Sequence, residues 1–242
     1  MVTEKVFSEE IQNKLALENL DYTEEQLEKK YNGFYNRYIK RFLDFCIALI
    51  GLLIIWPLMV VVAIAVVAET GFPVFYRPER GGYRGKTFHI FKYRTMVQNA
   101  DKIGGGTTAF NDSRITKVGG FLRKTKLDEI AQLFNILNGT MSFIGPRPEL
   151  LKYTQAYAGL DRNILNVRPG ITDYSSIDFI NLDEIVGSEN ADEMYERYVL
   201  KRKNQLRLKY VATVSATTDI KIFWNTVFQV LKKCIRVLKG KR

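Results

Sequence analysis

Residues 121–149 read FLRKTKLDEIAQLFNILNGTMSFIGPRPE. The pattern predicts a short helix that begins just before the acidic pair Asp128-Glu129, with Thr125 as a capping residue in a Thr-x-x-Asp variant of the capping box. Apolar residues then recur at helical spacing, at Leu127, Ile130, Phe134 and Leu137. Asn138-Gly139 supplies the stop. A carboxylate in a first helical turn is stabilised by about 0.3–1 kcal/mol, so Asp128 is expected to stay ionised.

The acidic pair has a catalytic and a structural interpretation. Neighbouring helix positions point about 100° apart, so Asp128 and Glu129 cannot perform the same task. An ionised carboxylate is a competent nucleophile, and a helix start also presents N–H groups that can hold phosphate. Acids in a first helical turn are also simply favourable for the helix. The pair alone therefore leaves both interpretations open, and the surrounding sequence has to decide.

A long apolar run precedes this region. Residues 45–68 form 24 consecutive positions without a charge, which is enough to cross a bilayer core. Trp56-Pro57 lies near the middle, where a proline predicts a bend. Basic residues flank both ends, which favours placing both ends in the cytoplasm. These features predict a re-entrant membrane helix that bends at Trp56-Pro57. A single kinked span and a buried core helix are the alternatives.

The charge balance narrows the possible partners. The 242-residue chain has a net charge of +10, which is compatible with an anionic membrane or with nucleic acid. Residues 219–239 form an amphipathic pattern with large apolar groups on one face and basic groups on the other, as in helices at a membrane surface. A docking helix on a soluble domain is the alternative. No nucleic-acid-binding signature is present, and two cysteines and one histidine give little support to zinc or disulfide chemistry.

The remaining pattern predicts an α-rich, membrane-associated α+β fold with amphipathic interfacial helices and a small β-hairpin. Strands are expected at 74–77 and 87–93, around a glycine-rich turn at 81–85. We expect a polar N-terminal extension at 1–36, the membrane helix at 37–68 and a compact catalytic domain at 69–242. The heavily charged stretch 192–210 is predicted to be a surface helix.

Several motifs, in their shared order and spacing, resemble the bacterial sugar transferases of the monotopic phosphoglycosyl transferase superfamily. The resemblance covers about residues 37–239. Besides the membrane segment, it is carried by Phe91-Lys92-Tyr93-Arg94-Thr95-Met96, Asp112-Ser113-Arg114-Ile115-Thr116, Leu127-Asp128-Glu129, the stretch 141–149, and Val167-Arg168-Pro169-Gly170-Ile171-Thr172. Two departures are noted. Trp56 stands where the family usually has a small polar residue, and residues 173–178 differ from the family's usual continuation, so the sugar is not identified.

The resemblance implies transfer of a sugar 1-phosphate from a UDP-sugar to polyprenyl (undecaprenyl) phosphate, which starts capsule, exopolysaccharide or other glycan assembly. It implies that Asp128 is the nucleophile, that Glu129 supports metal binding or lipid activation, and that Arg123 lies beside the lipid phosphate. Further phosphate contacts are expected from Lys92, Arg94, Arg147 and Arg168, since such cations bind phosphate oxygens.

The same reading implies further partners. Repulsion between an anionic nucleophile and anionic substrates predicts Mg²⁺, held by Asp128 and Glu129 with phosphate oxygens. The expected location is the bacterial inner membrane, with the catalytic domain on the cytoplasmic face, and a homo-oligomer is left open. The alternative function is that of a catalytically inactive, membrane-anchored interaction protein, against which the intact Asp128-Glu129 pair argues.

Overall fold

The computed structural model describes residues 7–100, 112–187 and 190–238. Within these ranges the α-helices are α1 Glu9–Leu15, α2 Glu24–Tyr31, α3 Lys40–Thr70, α4 Lys117–Thr125, α5 Leu133–Leu137, α6 Leu151–Gln155, α7 Tyr174–Asp178, α8 Leu182–Val186, α9 Ala191–Met194, α10 Leu200–Thr213 and α11 Ala216–Leu238. The strands are β1 Phe75–Tyr76, β2 Glu79–Gly81, β3 Thr87–His89, β4 Lys92–Tyr93, β5 Ser142–Ile144 and β6 Gly170–Thr172. π-helical turns at Tyr35–Ile39 and Tyr195–Val199 lead into α3 and α10, and 3₁₀ turns lie at Tyr83–Gly85, Leu127–Gln132 and Gly159–Asn166. The predicted α-rich α+β class is confirmed.

The predicted hairpin is confirmed. Strand β1 pairs antiparallel with β4, Phe75 opposite Tyr93, and β2 pairs antiparallel with β3, Glu79 opposite His89. The two short ladders follow one another along the same pair of chain segments, so the chain from 75 to 81 runs back along 87–93. This hairpin delivers Lys92 to the acidic pair, because β4 packs directly against the 3₁₀ turn that carries Asp128 and Glu129.

The proline-containing turn 145–148 meets the proline-containing turn 168–170, because β5 and β6 lie side by side in parallel, with Ser142 opposite Gly170. The contact requires glycine at both positions: a Cβ on Gly145 would lie 2.4 Å from the carbonyl oxygen of Arg168, and one on Gly170 would lie 2.2 Å from the backbone nitrogen of Gly145. These contacts fix the turn that follows β5, and this turn contains Arg147.

The start of the acidic helix differs from the prediction. Thr125 does not cap it, because Thr125 lies in the last turn of α4 and its hydroxyl donates to the carbonyls of Phe121 and Leu122. Lys126 then adopts a left-handed conformation, φ +60°, which ends α4 and redirects the chain. Asp128 and Glu129 occupy the first turn of the 3₁₀ segment Leu127–Gln132 rather than of an α-helix. The physical reason is that the preceding helix extends through Thr125, so the left-handed Lys126, and not Thr125, occupies the residue before the next segment.

Helix α3 contains the whole apolar run and has two faces. One face packs along the domain through residues such as Ala48, Met59 and Val66, all less than 9% exposed. The opposite face consists of large apolar side chains that are more than 60% exposed, including Leu53, Ile54, Val61 and Ile64. The most apolar 18-residue window is only 17% buried, which is unlike a core helix. Pro57 lies inside this one helix and Trp56 is exposed, so the bend and the re-entrant path stay predictions.

The N-terminal extension packs on the rest of the fold. Leu27 in α2 is completely buried in a cluster with Leu208, Tyr210 and Val211 of α10, while Phe7, Ile11 and Leu15 pack against a second cluster around Tyr195. A salt bridge joins Glu18 to Arg202 at 2.7 Å. The segment is therefore an integral layer over α10.

The stretch 192–210 is helical as predicted, but the prediction that it lies on the surface is wrong. Helix α10 runs through the core, and its charged residues Arg202, Lys203 and Arg207 are buried. They are accommodated because carboxylates from other parts of the chain meet them, chiefly Glu149, which accepts a hydrogen bond from Arg207 and lies 3.7 Å from Lys203. Charge density alone cannot distinguish a solvated helix from one whose charges are paired in the interior.

Candidate active site

Asp128 is one of the two acids of the pair, and its carboxylate is buried. The residue is 7% exposed, its side chain makes no hydrogen bond with any residue in the described ranges, and its Oδ1 is fully enclosed. Burial and the charge of Glu129 raise the pKa of Asp128 above its usual value, and the charges of Lys92, Lys126 and Arg123 offset this only in part, so the helix position does not set the pKa as the sequence predicted. A buried carboxylate oxygen that accepts no hydrogen bond from the protein is uncommon. The arrangement is that of a group kept available for a ligand or a reaction.

Glu129 has the opposite environment. Its Oε1 accepts hydrogen bonds from Lys92 Nζ at 3.0 Å and from Arg147 Nη2. Burial acts to raise its pKa, but the charges of Arg147 and Lys92 outweigh burial and hold the pKa of Glu129 well below its usual range. In turn, Arg147 Nη1 donates to the carbonyl of Ile171 at 2.7 Å. Glu129 is thus ionised and fixed between two cations, and the two carboxylates of the pair have clearly different roles available to them.

Arg123 reaches the site from the last turn of α4. Its Nε donates to Thr95 Oγ1 at 2.8 Å, and its charge acts on both Asp128 and Asp112. Asp112 itself is joined to Arg114 by a two-point contact, with Nε at 2.8 Å from Oδ1 and Nη2 at 2.6 Å from Oδ2. The motif residues 112–116 therefore support the start of α4 and the electrostatic environment of Arg123.

The other two predicted phosphate-binding arginines make their hydrogen bonds elsewhere. Arg94 Nη2 donates to Thr70 Oγ1 at 2.7 Å and to the carbonyls of Thr70 and Gly71, so it closes the C-terminal end of α3, where carbonyls lack helical partners. Arg168 donates from Nε to the carbonyl of Gly139 at 3.0 Å and covers the Tyr83 ring at 4.8 Å. Their contact with phosphate stays a prediction.

The structure brings two further residues to the site that the sequence did not assign. Lys126 acts electrostatically on both Asp128 and Glu129, and Thr95 holds Arg123. Lys126 had a signal, since it lies within the basic run just before the acidic pair. Thr95 lies in the motif 91–96 that carries the resemblance, but its contact with Arg123 depends on α4 packing against the end of the hairpin.

The donor set of the acidic pair fits a divalent cation at Asp128. No group of three metal-ligating side chains occurs among the described residues. Mg²⁺, however, commonly uses one or two carboxylates plus substrate phosphate oxygens. The enclosed Oδ1 of Asp128 is a suitable oxygen, whereas Oε1 of Glu129 is already engaged by Lys92 and Arg147. Asp128 is therefore the better ligand of the two.

An apolar cavity lies between helix α3 and the elements that pack against it. It has a volume of about 420 Å³ and is bounded by α3 on one side and by β1, β4 and α5 on the other, with Leu49, Leu52, Leu53, Trp56, Met59, Val60, Ala63, Phe75, Tyr93 and Phe134 lining it. Tyr93 follows Lys92 directly in β4. Successive side chains of a strand point to opposite faces, so Tyr93 lines the cavity whereas Lys92, on the other face, contacts Glu129.

Fold and site together present a carboxylate pair among cations and a long, exposed apolar helix. The chain belongs to the bacterial sugar transferase family, whose model matches residues 35–233.

Relatives of known name share this region. Over 198 residues, 80% of the chain, it is 36% identical to the UDP-glucose:undecaprenyl-phosphate glucose-1-phosphate transferase of Escherichia coli K12, covering 40% of that protein. It is 34% identical over 94% of its length to the UDP-N-acetylgalactosamine-undecaprenyl-phosphate N-acetylgalactosaminephosphotransferase of Aeromonas hydrophila, covering 51% of it. It is also 34% identical over 80% of its length to the uncharacterized sugar transferase EpsL of Bacillus subtilis, covering 87% of that protein. The chain thus spans about half or less of the two relatives whose reaction is named.

Proposed function

We propose that this chain transfers a sugar 1-phosphate from a UDP-sugar to polyprenyl (undecaprenyl) phosphate through a covalent intermediate on Asp128. The products are UMP and a polyprenyl diphosphate sugar, the first lipid-linked intermediate of a capsule, exopolysaccharide or other glycan. The observation that carries the proposal is the contrast within the acidic pair: Asp128 is enclosed and uncommitted, whereas Glu129 is fixed by two cations.

The reaction proceeds in two displacements. A carboxylate oxygen of Asp128 attacks the phosphorus that bears the sugar, and the bond from that phosphorus to the UMP oxygen breaks, so UMP leaves with the electron pair. An oxygen of the polyprenyl phosphate then attacks the same phosphorus, and the bond to Asp128 breaks, which restores the carboxylate. Splitting one displacement in this way is the general logic of covalent catalysis.

The surrounding cations offset the repulsion between anions. Glu129 holds Arg147 and Lys92 beside the acidic pair. Lys126 and Arg123, which come just before the pair in the sequence, add further positive charge. Fixed charges in a buried site stabilise developing negative charge without reorganisation. Bound Mg²⁺ would neutralise phosphate oxygens further, with Asp128 as its protein ligand.

The apolar surfaces support a membrane-bound acceptor. Helix α3 exposes a continuous apolar face, and α11 exposes Ile220, Phe223, Trp224 and Phe228. The cavity between α3 and β4 is lined by apolar side chains, which suit an isoprenoid chain. We therefore place the protein on the cytoplasmic face of the bacterial inner membrane, with α3 as a re-entrant helix and α11 at the interface. This arrangement brings Asp128 to the depth of lipid phosphates.

The experiment is a labelling assay with a panel of UDP-sugars that carry radioactive phosphorus at the sugar-bearing position. We expect wild type to release UMP and to become labelled, and Asp128→Asn to do neither while keeping the wild-type melting temperature. Asp21→Asn, an exposed carboxylate, is the matched control and should behave as wild type. Label on Asp128→Asn would eliminate the covalent role. A wild-type protein that turns over no UDP-sugar would favour the inactive interaction protein.

A further inference from the structure

Thr95 is the point at which helix α4 docks on the hairpin. Its carbonyl accepts the backbone N–H of Thr116, the N-cap of α4, at 3.1 Å. Gly119 lies against the same backbone, since a Cβ there would be 2.0 Å from the Thr95 carbonyl oxygen. One turn further, Arg123 Nε donates to Thr95 Oγ1 at 2.8 Å. Positions 116, 119 and 123 lie on one helix face, so Thr95 contacts this whole face of α4.

The hydrogen bond to Thr95 determines how Arg123 can bind an anion. A guanidinium has five N–H donors in one plane, and its paired edges match the oxygens of phosphate. With Nε engaged by Thr95, the edge formed by the two Nη groups remains. Within the described ranges, the bond to Thr95 is the only hydrogen bond that the Arg123 side chain makes. The carboxylate charges that act most strongly on Arg123 are those of Asp128 and Asp112, so the guanidinium lies in the electrostatic surroundings of Asp128.

We propose that Thr95 is a positioning residue whose hydroxyl fixes the guanidinium plane of Arg123, so that both Nη groups take the phosphate oxygens of a substrate beside Asp128. This inference rests on the proposed function, in which Arg123 receives the phosphate of the lipid acceptor. The phosphate of the nucleotide sugar has the same chemistry, so the test separates the two reaction steps.

The chain offers a matched set of variants. Thr95→Val keeps the shape of this buried side chain and the backbone contacts with Thr116 and Gly119, and it removes only the hydroxyl. Thr95→Ser keeps the hydroxyl. Thr125→Val is the control, because the hydroxyl of Thr125 donates only to carbonyls of its own helix.

The full chain is assayed in nanodiscs as two separate steps: label transfer from UDP-sugar to protein, and removal of that label by polyprenyl phosphate. A hydrogen bond to a charged group is lost in Thr95→Val, so we expect roughly a ten- to hundred-fold lower kcat/KM for the lipid step. The first step should be nearly unchanged. Thr95→Ser should recover most of the loss, and Thr125→Val should match wild type.

Three results would overturn the proposal: Thr95→Val as active as wild type in both steps, Thr95→Ser as impaired as Thr95→Val, or Thr125→Val equally impaired. A loss confined to the first step would overturn the assignment to the lipid phosphate. The ¹⁵N–¹H signal of Arg123 Nε, identified by its absence in Arg123→Lys, gives a readout without turnover. It should be slowly exchanging in wild type and Thr95→Ser and broadened in Thr95→Val. If wild type turns over no UDP-sugar, the proposed function fails, and this signal still decides whether Thr95 orients Arg123.

Discussion

Replacing Glu149 by glutamine should destabilise the fold strongly, although Glu149 lies outside the carboxylate pair. Its Oε1 accepts hydrogen bonds from the Tyr195 hydroxyl and from Arg207 Nη2, and Lys203 Nζ lies 3.7 Å away. The Glu149 side chain is 11% exposed and that of Arg207 is 0% exposed. Glu149→Gln keeps the shape but leaves two buried cations without their counter-charge.

The magnitude follows from the pKa of Glu149. Burial raises that pKa, but Arg207, Lys203 and the Tyr195 hydroxyl outweigh burial and lower it from 4.5 to about 2. At about 1.4 kcal/mol per pKa unit, the ionised form contributes on the order of 3 kcal/mol to the free energy of unfolding. Breaking a buried ion pair by removing one partner costs about 3–5 kcal/mol, which agrees. For a chain of this size, the loss corresponds to a melting temperature lower by about 6–12 °C.

Thermal unfolding of detergent-solubilised protein, followed by tryptophan fluorescence between pH 3 and pH 7, measures this effect. Because folding lowers the pKa of Glu149, its contribution is complete above pH 4.5 and is lost as the pH falls towards 2. The gap between wild type and Glu149→Gln should therefore narrow at pH 3. Glu196→Gln is the control, since Glu196 and its partner Lys152 are about half exposed, and such pairs contribute about 0–1 kcal/mol. A gap no larger than the control, or one that does not change with pH, would refute the reasoning.

Two further predictions concern the N-terminal segment and the membrane helix. Leu27→Ala should lower the free energy of unfolding by about 2–5 kcal/mol, because Leu27 is 0% exposed; Leu17→Ala, at a 49% exposed site, should cost far less in the same unfolding assay, and equal effects would contradict the packing of the extension. Single cysteines at Phe34 and Phe72, which are 69% and 74% exposed on either side of α3, in a background without Cys46 and Cys234, should react with an impermeant thiol reagent only after cells are opened. Reaction of either one in intact cells would mean that α3 spans the membrane.

Local sequence patterns predicted the elements that rest on short-range physics. The uncharged run became α3, the glycine-rich turn between two β-prone segments became the hairpin, and Asn138-Gly139 ended α5, with Gly139 at φ +82°. These features depend on hydropathy and backbone preferences that act within a few residues. The same level of reasoning singled out the acidic pair and the basic residues around it, since residue type and spacing alone indicate that chemistry.

Contacts between distant segments could not be predicted in this way. The capping assignment of Thr125 was wrong because the preceding helix extends through this residue, and its hydroxyl donates to carbonyls of that helix. The surface assignment of 192–210 was wrong because Glu149, some 50 positions away, neutralises the cations of α10. Both errors have the same origin: a local pattern does not specify which partner a polar group will find.

The sequence by itself therefore determined that this chain has an apolar membrane-type helix, a small hairpin and a carboxylate pair in a basic setting. Only the tertiary structure decided which carboxylate is fixed by two cations and which remains available for a ligand or a reaction. Glu129 is fixed because the hairpin brings Lys92 and the paired strands β5 and β6 bring Arg147 to the same oxygen. Oδ1 of Asp128, one residue earlier, accepts no hydrogen bond from any residue that the structure describes. The division of roles between two adjacent acids is set by long-range packing, because burial and nearby charge control a carboxylate more than its own sequence position does.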